Sequence, residues 1–295
     1  MNNTLKKTGS ILFCLLPALL AFGIQLAVSV PAAMIKIFMV IAKDPDIFSD
    51  METYFSTIMS SMDSTFLCAV SGIYAVIAAL VMGFWYWKKF APKKVPKRSP
   101  GQIINLKMFG GLLALMLGMQ YLSTYIVNLL YLINPEWYDT YEYLMESMGF
   151  AEVTWVLALY SVIIAPISEE LIFRGVTMHY AKNTMPFWLA NIFQAFLFGV
   201  FHGNVIQGVY AFVVGLFCGY VCHRGGSIYL SILYHMLFNL WGTFAPGNLT
   251  YTGDSTIIHI LIFLLTVVVT FVGFYLYHSG TKQRKSVEKT IPQDV

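Results

Sequence analysis

The chain has 295 residues, of which 58% are hydrophobic and 11% are charged, and its formal net charge is +3. Average proteins carry about 25% charged residues, so this composition and a mean hydropathy of +0.68 exclude an ordinary soluble domain. The basic residues lie in short loops and tails rather than on one folded face, which excludes a nucleic-acid-binding surface. The composition therefore predicts an integral membrane protein.

Long apolar stretches predict about eight membrane-spanning helices, each of roughly 20 residues. They cover about 10–42, 65–87, 108–133, 152–180, 186–203, 205–222, 227–244 and 256–278. The expected fold is all-α and polytopic. The first apolar run exceeds the usual length of a signal-peptide core, so we expect an uncleaved membrane anchor rather than a signal peptide.

The charged residues alternate between the loops. Lysine and arginine follow the second, fourth, sixth and eighth segments: Lys88, Lys89, Lys93, Lys94, Lys97, Arg98, Lys182, Arg224, Lys282, Arg284 and Lys285. Acidic residues follow the first and third segments: Asp44, Asp46, Asp50, Glu52, Glu136, Asp139, Glu142 and Glu146. Because basic loops stay in the cytoplasm, the alternation predicts cytoplasmic termini, and we expect a bacterial plasma membrane.

A stretch rich in proline and lysine, 91–101, divides the chain. We predict an N-terminal two-span region with its basic linker over 1–101 and a six-span core over 102–280. The polar motifs of that core lie within 150–245. A cytoplasmic tail is expected over 281–295.

The fourth segment carries two glutamates and an arginine within an apolar run. Ionisable residues at membrane depth are costly and mark functional sites by default. Glu170 and Arg174 are four residues apart, so they share a helix face and are expected to pair. Consecutive helical residues point about 100° apart, so Glu169 faces elsewhere and is left free to act.

Two further segments contribute polar groups at a similar depth. His202 ends the fifth segment, while His235 and Asn239 share a face of the seventh. Each alone is typical of helix packing or of hydrogen bonding between helices. Helix rise places them with Glu169 in one layer, toward the cytoplasmic half of the bilayer. A carboxylate, two imidazoles and an amide that converge there predict a hydrolytic site.

These residues form three motifs in chain order: Glu169-Glu170-x-x-x-Arg174, Phe198-x-x-x-His202 and His235-x-x-x-Asn239. With them, about residues 150–245 resemble the CAAX protease and bacteriocin-processing family of intramembrane endopeptidases. This family is also called Abi, and it includes the type II CAAX prenyl endopeptidases. The resemblance implies hydrolysis of a peptide bond inside the membrane.

The resemblance also implies a role for each motif residue. Glu169 would activate a water molecule with help from His202, and His235 and Asn239 would stabilise the oxyanion. Both tasks suit the chemistry of these groups, since a carboxylate can act as a general base and N–H groups can donate to a developing negative charge. Three residues would hold the geometry of the site: Glu170, Arg174 and Phe198.

A zinc-dependent mechanism is the alternative. Glu169, His202 and His235 have the donor chemistry for zinc. The chain has no His-Glu-x-x-His sequence, and the oxyanion role needs His235 and Asn239 free of metal. A glutamate-dependent mechanism without a cofactor is therefore favoured.

Two functions other than proteolysis remain open. One is a non-enzymatic bacteriocin-immunity or scaffold protein, which need not keep the four polar residues of the site. The other is a proton-coupled transporter, which the lack of a visible inverted repeat disfavours. The expected partners are membrane lipids and a peptide or protein substrate, including lipidated or bacteriocin-like peptides, and no nucleic acid.

Overall fold

A computed structural model describes residues 3–43, 50–91, 103–245 and 255–290. These ranges are helical and contain no β-strand, so the predicted all-α class is confirmed. The helices, numbered here in chain order, are α1 (Asn3–Lys43), α2 (Met51–Ser61), α3 (Ser64–Lys89), α4 (Leu106–Ile133), α5 (Pro135–Ser147), α6 (Trp155–Lys182), α7 (Phe187–Phe201), α8 (Val205–Gly225), α9 (Ile228–Phe244) and α10 (Thr256–Thr290). The basic linker residues lie outside the described ranges: Lys93, Lys94, Lys97 and Arg98.

Six helices in the described ranges are long and apolar enough to cross a membrane: α1, α3, α4, α6, α8 and α10. The chain is therefore a multi-pass integral membrane protein. The other two predicted spans form shorter helices, α7 with 15 residues and α9 with 17, so the count of eight full spans is not confirmed. At 1.5 Å per residue α7 is about 22 Å long, which is shorter than a hydrocarbon core of about 30 Å.

The two acidic loops contain short helices that the search for apolar segments does not detect. Asp50 caps α2 by accepting the N–H of Glu52, and Asn134 caps α5 by accepting the N–H of Glu136. Pro135 opens α5, where a missing N–H costs nothing. Both helices are amphipathic and too short to span a membrane.

Hydrogen bonds show which helix ends meet. Arg284 donates to the carbonyls of Ile103 and Gly225, which joins the approach to α4 with the ends of α8 and α10. Trp85 donates to the hydroxyl of Tyr180, which joins the ends of α3 and α6. We call this the basic side, marked by Lys88, Lys89, Lys182, Arg224 and Arg284.

The opposite helix ends meet in the same way. The thiol of Cys68, near the start of α3, donates to the carbonyl of Met148, just after α5. We call this the acidic side, marked by Glu52, Glu136, Asp139, Glu142 and Glu146. The charge alternation of the loops thus corresponds to two opposite ends of the helix bundle.

Close packing fixes the centre of the bundle. Helices α7 and α8 approach so closely that a Cβ atom on Gly219 would collide with Asn191. Asn191 and Gln194 of α7 donate to backbone carbonyls of α8, at 3.0 and 2.9 Å. Helices α1 and α3 pack against α6, so the N-terminal region contacts the motif-bearing helices directly.

The last helix extends into the predicted cytoplasmic tail. Residues 281–290 continue α10. Thr281 and Arg284 are buried, and Arg284 bonds to the basic side of the bundle. Residues 281–284 are therefore part of the packed structure.

Candidate active site

Helix α6 holds both glutamates in a short α-helical stretch, Ala165–Glu170, between two π-helical segments, Tyr160–Ile164 and Leu171–Thr177. Pro166 has no N–H, so it interrupts the regular hydrogen-bond ladder. The residue before it donates instead to the carbonyl five residues back, at Tyr160. Such π-helical turns occur frequently at functional sites.

Glu170 and Arg174 form a fully buried ion pair, which we call the sealed pair. The Nη1 atom of Arg174 lies 2.8 Å from Oε1 of Glu170, and both side chains are 0% exposed. The Nη2 atom donates to the carbonyl of Gly215 on α8, 3.1 Å away. The structure therefore contains the contact that the four-residue spacing predicts, buried between α6 and α8.

Glu169 has different surroundings. Its side chain is 19% exposed and lines a cavity of about 420 Å³. We call this space the Glu169 cavity, and its polar lining includes Ser71, Tyr74, Glu169, His202, His235 and Asn239. The four residues predicted to be catalytic thus surround one space, although they come from two helices and the end of a third.

His235 connects the two glutamates. Its Nδ1 atom lies 3.0 Å from Oε1 of Glu170, and its Nε2 atom lies 3.7 Å from Oε2 of Glu169. An ionised carboxylate can only accept, so Nδ1 carries the proton of the shorter contact. Glu170 therefore orients the imidazole, a link that the sequence motifs do not reveal.

His202 lies where α7 ends. Gly203 follows with φ of +71°, a left-handed conformation that glycine adopts without strain and that reverses the chain into α8. The Nδ1 atom of His202 donates to the carbonyl of Phe198 at 2.8 Å, because a carbonyl oxygen can only accept. In the neutral imidazole the Nε2 atom is then left as an acceptor at the cavity.

Asn239 faces both the cavity and helix α6. Its Nδ2 atom donates one hydrogen to the carbonyl of Ser161, 2.8 Å away. An amide group has two hydrogens on this nitrogen, so one is left to meet a ligand. The contact with α6 fixes the amide orientation, since the nitrogen must face Ser161.

Phe198 packs among the charged groups. Its ring meets those of His202 and His235 edge-on, with centroids 4.8 and 5.7 Å apart. The guanidinium carbon of Arg174 lies 4.6 Å from the same ring centroid, a cation–π geometry. One aromatic side chain therefore sets the spacing of three polar groups.

One group of possible metal ligands is already engaged with other side chains. Among the described residues, one group of three donors lies within 4.8 Å of one another: Glu170, Cys218 and His235. Glu170 already accepts from the guanidinium of Arg174, and a metal cation there would be held beside a buried positive charge. The zinc ligands considered from the sequence, Glu169, His202 and His235, do not form such a close group in the described chain.

The cavity also includes residues that the motifs do not identify. Gln25 and Ser29 of α1, and Ser71 and Tyr74 of α3, form part of its wall. Each pair is spaced by three or four residues, which puts both members on one helix face. In the sequence, these residues could have been recognised as polar pairs of helical spacing within two otherwise apolar spans.

A second cavity, of about 810 Å³, adjoins the first and shares part of its wall, including Ser161, Gln207, Tyr210 and Asn239. Tyr138, Tyr141, Glu142 and Glu146 of α5 contribute to the second cavity alone. Met145 lines both. Since Met145 belongs to α5, both cavities reach the helix that marks the acidic side.

The fold and the cavity define a multi-pass membrane protein with acid–base groups gathered inside its helix bundle. Residues 151–241 match the family model described as Rce1-like, "Type II CAAX prenyl endopeptidase Rce1-like". The matched region contains every motif residue from Glu169 to Asn239, and it confirms the resemblance seen in the sequence. No curated protein and no solved structure matches the chain. The family match implies a protease and supports an intramembrane CAAX-type protease activity in general.

Proposed function

We propose that this protein is an intramembrane endopeptidase that cuts a peptide bond in the Glu169 cavity. The observation that carries the proposal is that two adjacent carboxylates have different surroundings. Glu170 is sealed in an ion pair, whereas Glu169 faces the cavity together with His202 and Asn239. A carboxylate that is accessible to a ligand but shielded from bulk water suits general base catalysis.

In this proposal the nucleophile is a water molecule between Glu169 and His202. Glu169 takes a proton from the water, and Nε2 of His202 accepts a hydrogen bond that orients it. The oxygen attacks the carbonyl carbon of the substrate, and the C–N bond then breaks. Glu169 returns the proton to the leaving amine, so the enzyme ends the cycle unchanged.

The developing oxyanion would meet Asn239 and His235. Asn239 offers the amide hydrogen that Ser161 does not use. Donation from His235 requires a proton on Nε2, so the histidine acts as an imidazolium. Two carboxylates, one guanidinium and one imidazolium then carry no net charge, which limits the cost of burying them.

We further propose that the substrate enters from the acidic side. Both cavities reach α5, which lies there. The loop charges favour cytoplasmic termini, so the acidic side would face outward from a bacterial plasma membrane. Glu169 lies about 20 Å from either end of α6, which favours a cut near mid-membrane over the cytoplasmic half expected from the sequence.

The substrate in this proposal is a peptide or protein that reaches the Glu169 cavity from the acidic side. Lipidated and bacteriocin-like peptides both fit a cavity with apolar and polar walls. The match to CAAX prenyl endopeptidases makes a farnesylated peptide with an aliphatic C-terminal tail the first reporter to test.

The test compares three purified proteins on that reporter: wild type, Glu169→Gln and Glu152→Gln. Glu169→Gln keeps the shape of the side chain and removes the base, so cleavage should be lost. Glu152 is exposed and lines neither cavity, so Glu152→Gln should cleave like wild type. Reporter binding without any cleavage by wild type would favour the immunity or scaffold alternative, and proton flux in liposomes without cleavage would favour the transporter.

A further inference from the structure

Tyr74 carries a polar atom that the protein itself leaves unsatisfied. The side chain is 7% exposed, and its hydroxyl has no hydrogen-bond partner among the described residues. A buried hydroxyl without a partner is destabilising, because it loses the hydrogen bond to water that it makes in the unfolded chain. Such a group calls for an explanation, and a ligand that completes the bond is one.

The position of Tyr74 identifies where that ligand would be. Several buried side-chain atoms in the described ranges lack a partner, among them the Tyr234 hydroxyl. Tyr74 is the one of these residues that lines the Glu169 cavity. Tyr74 shares the wall of that cavity with Glu169.

The chemistry of a peptide in a membrane supplies the missing partner. An extended peptide in a low-dielectric cavity exposes main-chain carbonyls that find no water, and each needs a donor. A tyrosine hydroxyl is a donor of suitable length and rigidity. The ring of Tyr74 is held by packing against Phe201, with centroids 6.4 Å apart.

We propose that Tyr74 is a substrate-binding residue whose hydroxyl donates to a main-chain carbonyl of the bound peptide beside the scissile bond. This inference rests on the proposed function for the identity of the ligand. It extends the site to α3, outside the matched region 151–241. The N-terminal helices would then take part in holding the substrate rather than only in anchoring the protein.

The test removes single hydroxyl groups. Tyr74→Phe should raise the KM for the farnesylated reporter about tenfold, with little change in kcat, because the bond forms equally in the ground and transition states. Its Tm should stay equal or rise, since an unsatisfied hydroxyl is lost. Tyr277→Phe is the matched control: that hydroxyl is buried and donates to the carbonyl of Val221 at 2.8 Å. This control should lower Tm and leave KM unchanged.

A second measurement separates this inference from the proposed function. The Kd of the reporter is measured by fluorescence anisotropy with Glu169→Gln alone and with Glu169→Gln combined with Tyr74→Phe. Weaker binding of the double variant supports the role of Tyr74 even if wild type cleaves nothing. An unchanged Kd, a lowered Tm for Tyr74→Phe, or no reporter binding to either protein would overturn the inference.

Discussion

Two neighbouring regions of α6 use the same residue type in opposite ways. On the sealed side, Glu170 and Arg174 are fully buried, and the arginine also bonds to the carbonyl of Gly215. On the cavity side, Glu169 keeps 19% of its side chain exposed and has no arginine within bonding distance in the described structure. Identical side chains, one residue apart, therefore differ in charge balance and in access to a ligand.

The two regions depend on each other, because His235 and Phe198 contact both. His235 places one ring nitrogen against Glu170 and the other toward Glu169. The sealed pair therefore orients the group that borders the reacting carboxylate. Phe198 adds a second connection, since its ring contacts Arg174 as well as both histidines.

The largest effect is expected from breaking the sealed pair. Glu170→Gln would leave the guanidinium of Arg174 buried without a carboxylate, at a cost of about 3–5 kcal/mol in the free energy of unfolding. Glu169→Gln should melt close to wild type, because no arginine depends on that carboxylate. Thermal melts of the two variants in the same detergent measure the difference. Equal melting temperatures would contradict the division between the two regions.

A smaller effect is expected on the cavity side from Asn239. Loss of one oxyanion donor typically lowers the rate about a hundred- to a thousandfold. Asn239→Ala should therefore reduce kcat strongly while KM changes little, because the bond strengthens only in the transition state. Steady-state kinetics on the reporter separate the two constants. A raised KM with an unchanged kcat would make Asn239 a binding residue instead.

The sequence predicted the cavity side through its motifs. Charged and polar residues are so costly within apolar spans that Glu169, His202 and His235 stand out, and helix spacing predicts the pairing of Glu170 with Arg174. The bounds of α7 and α9 lie within two residues of the predicted segments, 186–203 and 227–244, but helices of 15 and 17 residues do not establish the two full membrane crossings that the sequence predicted. Helices α2 and α5 were missed because they are short and lie in polar loops.

Contacts between distant segments could not be predicted from the sequence either. Periodicity specifies which residues of one helix share a face, but it does not specify which other helix that face will meet. The bond between His235 and Glu170 joins positions 65 residues apart. The contribution of Tyr74 to the cavity wall likewise depends on how α3 packs against α6. The sequence can mark Ser71 and Tyr74 as a polar pair on one helix face, but it does not show which helix that face meets.

The smallest expected effect concerns metal, and it distinguishes two uses of the cavity side. In the glutamate mechanism no ion is bound, so prolonged treatment with a strong chelator should leave kcat and KM unchanged. In the zinc mechanism Glu169, His202 and His235 are ligands, and chelation should abolish cleavage until zinc is restored.

The contacts of His235 are compatible with either mechanism, because a histidine that binds a metal through one ring nitrogen usually donates from the other to a carboxylate. The closest donor group in the described chain includes Glu170, whose oxygen accepts from Arg174 at 2.8 Å. His235 bonds to that same oxygen through Nδ1, so its Nε2 atom, which faces Glu169, is the one that would meet either an oxyanion or a metal ion. Elemental analysis of the active protein before and after chelation provides the measurement. About one equivalent of zinc per chain, lost together with activity and restored with it, would replace the glutamate mechanism by the zinc mechanism.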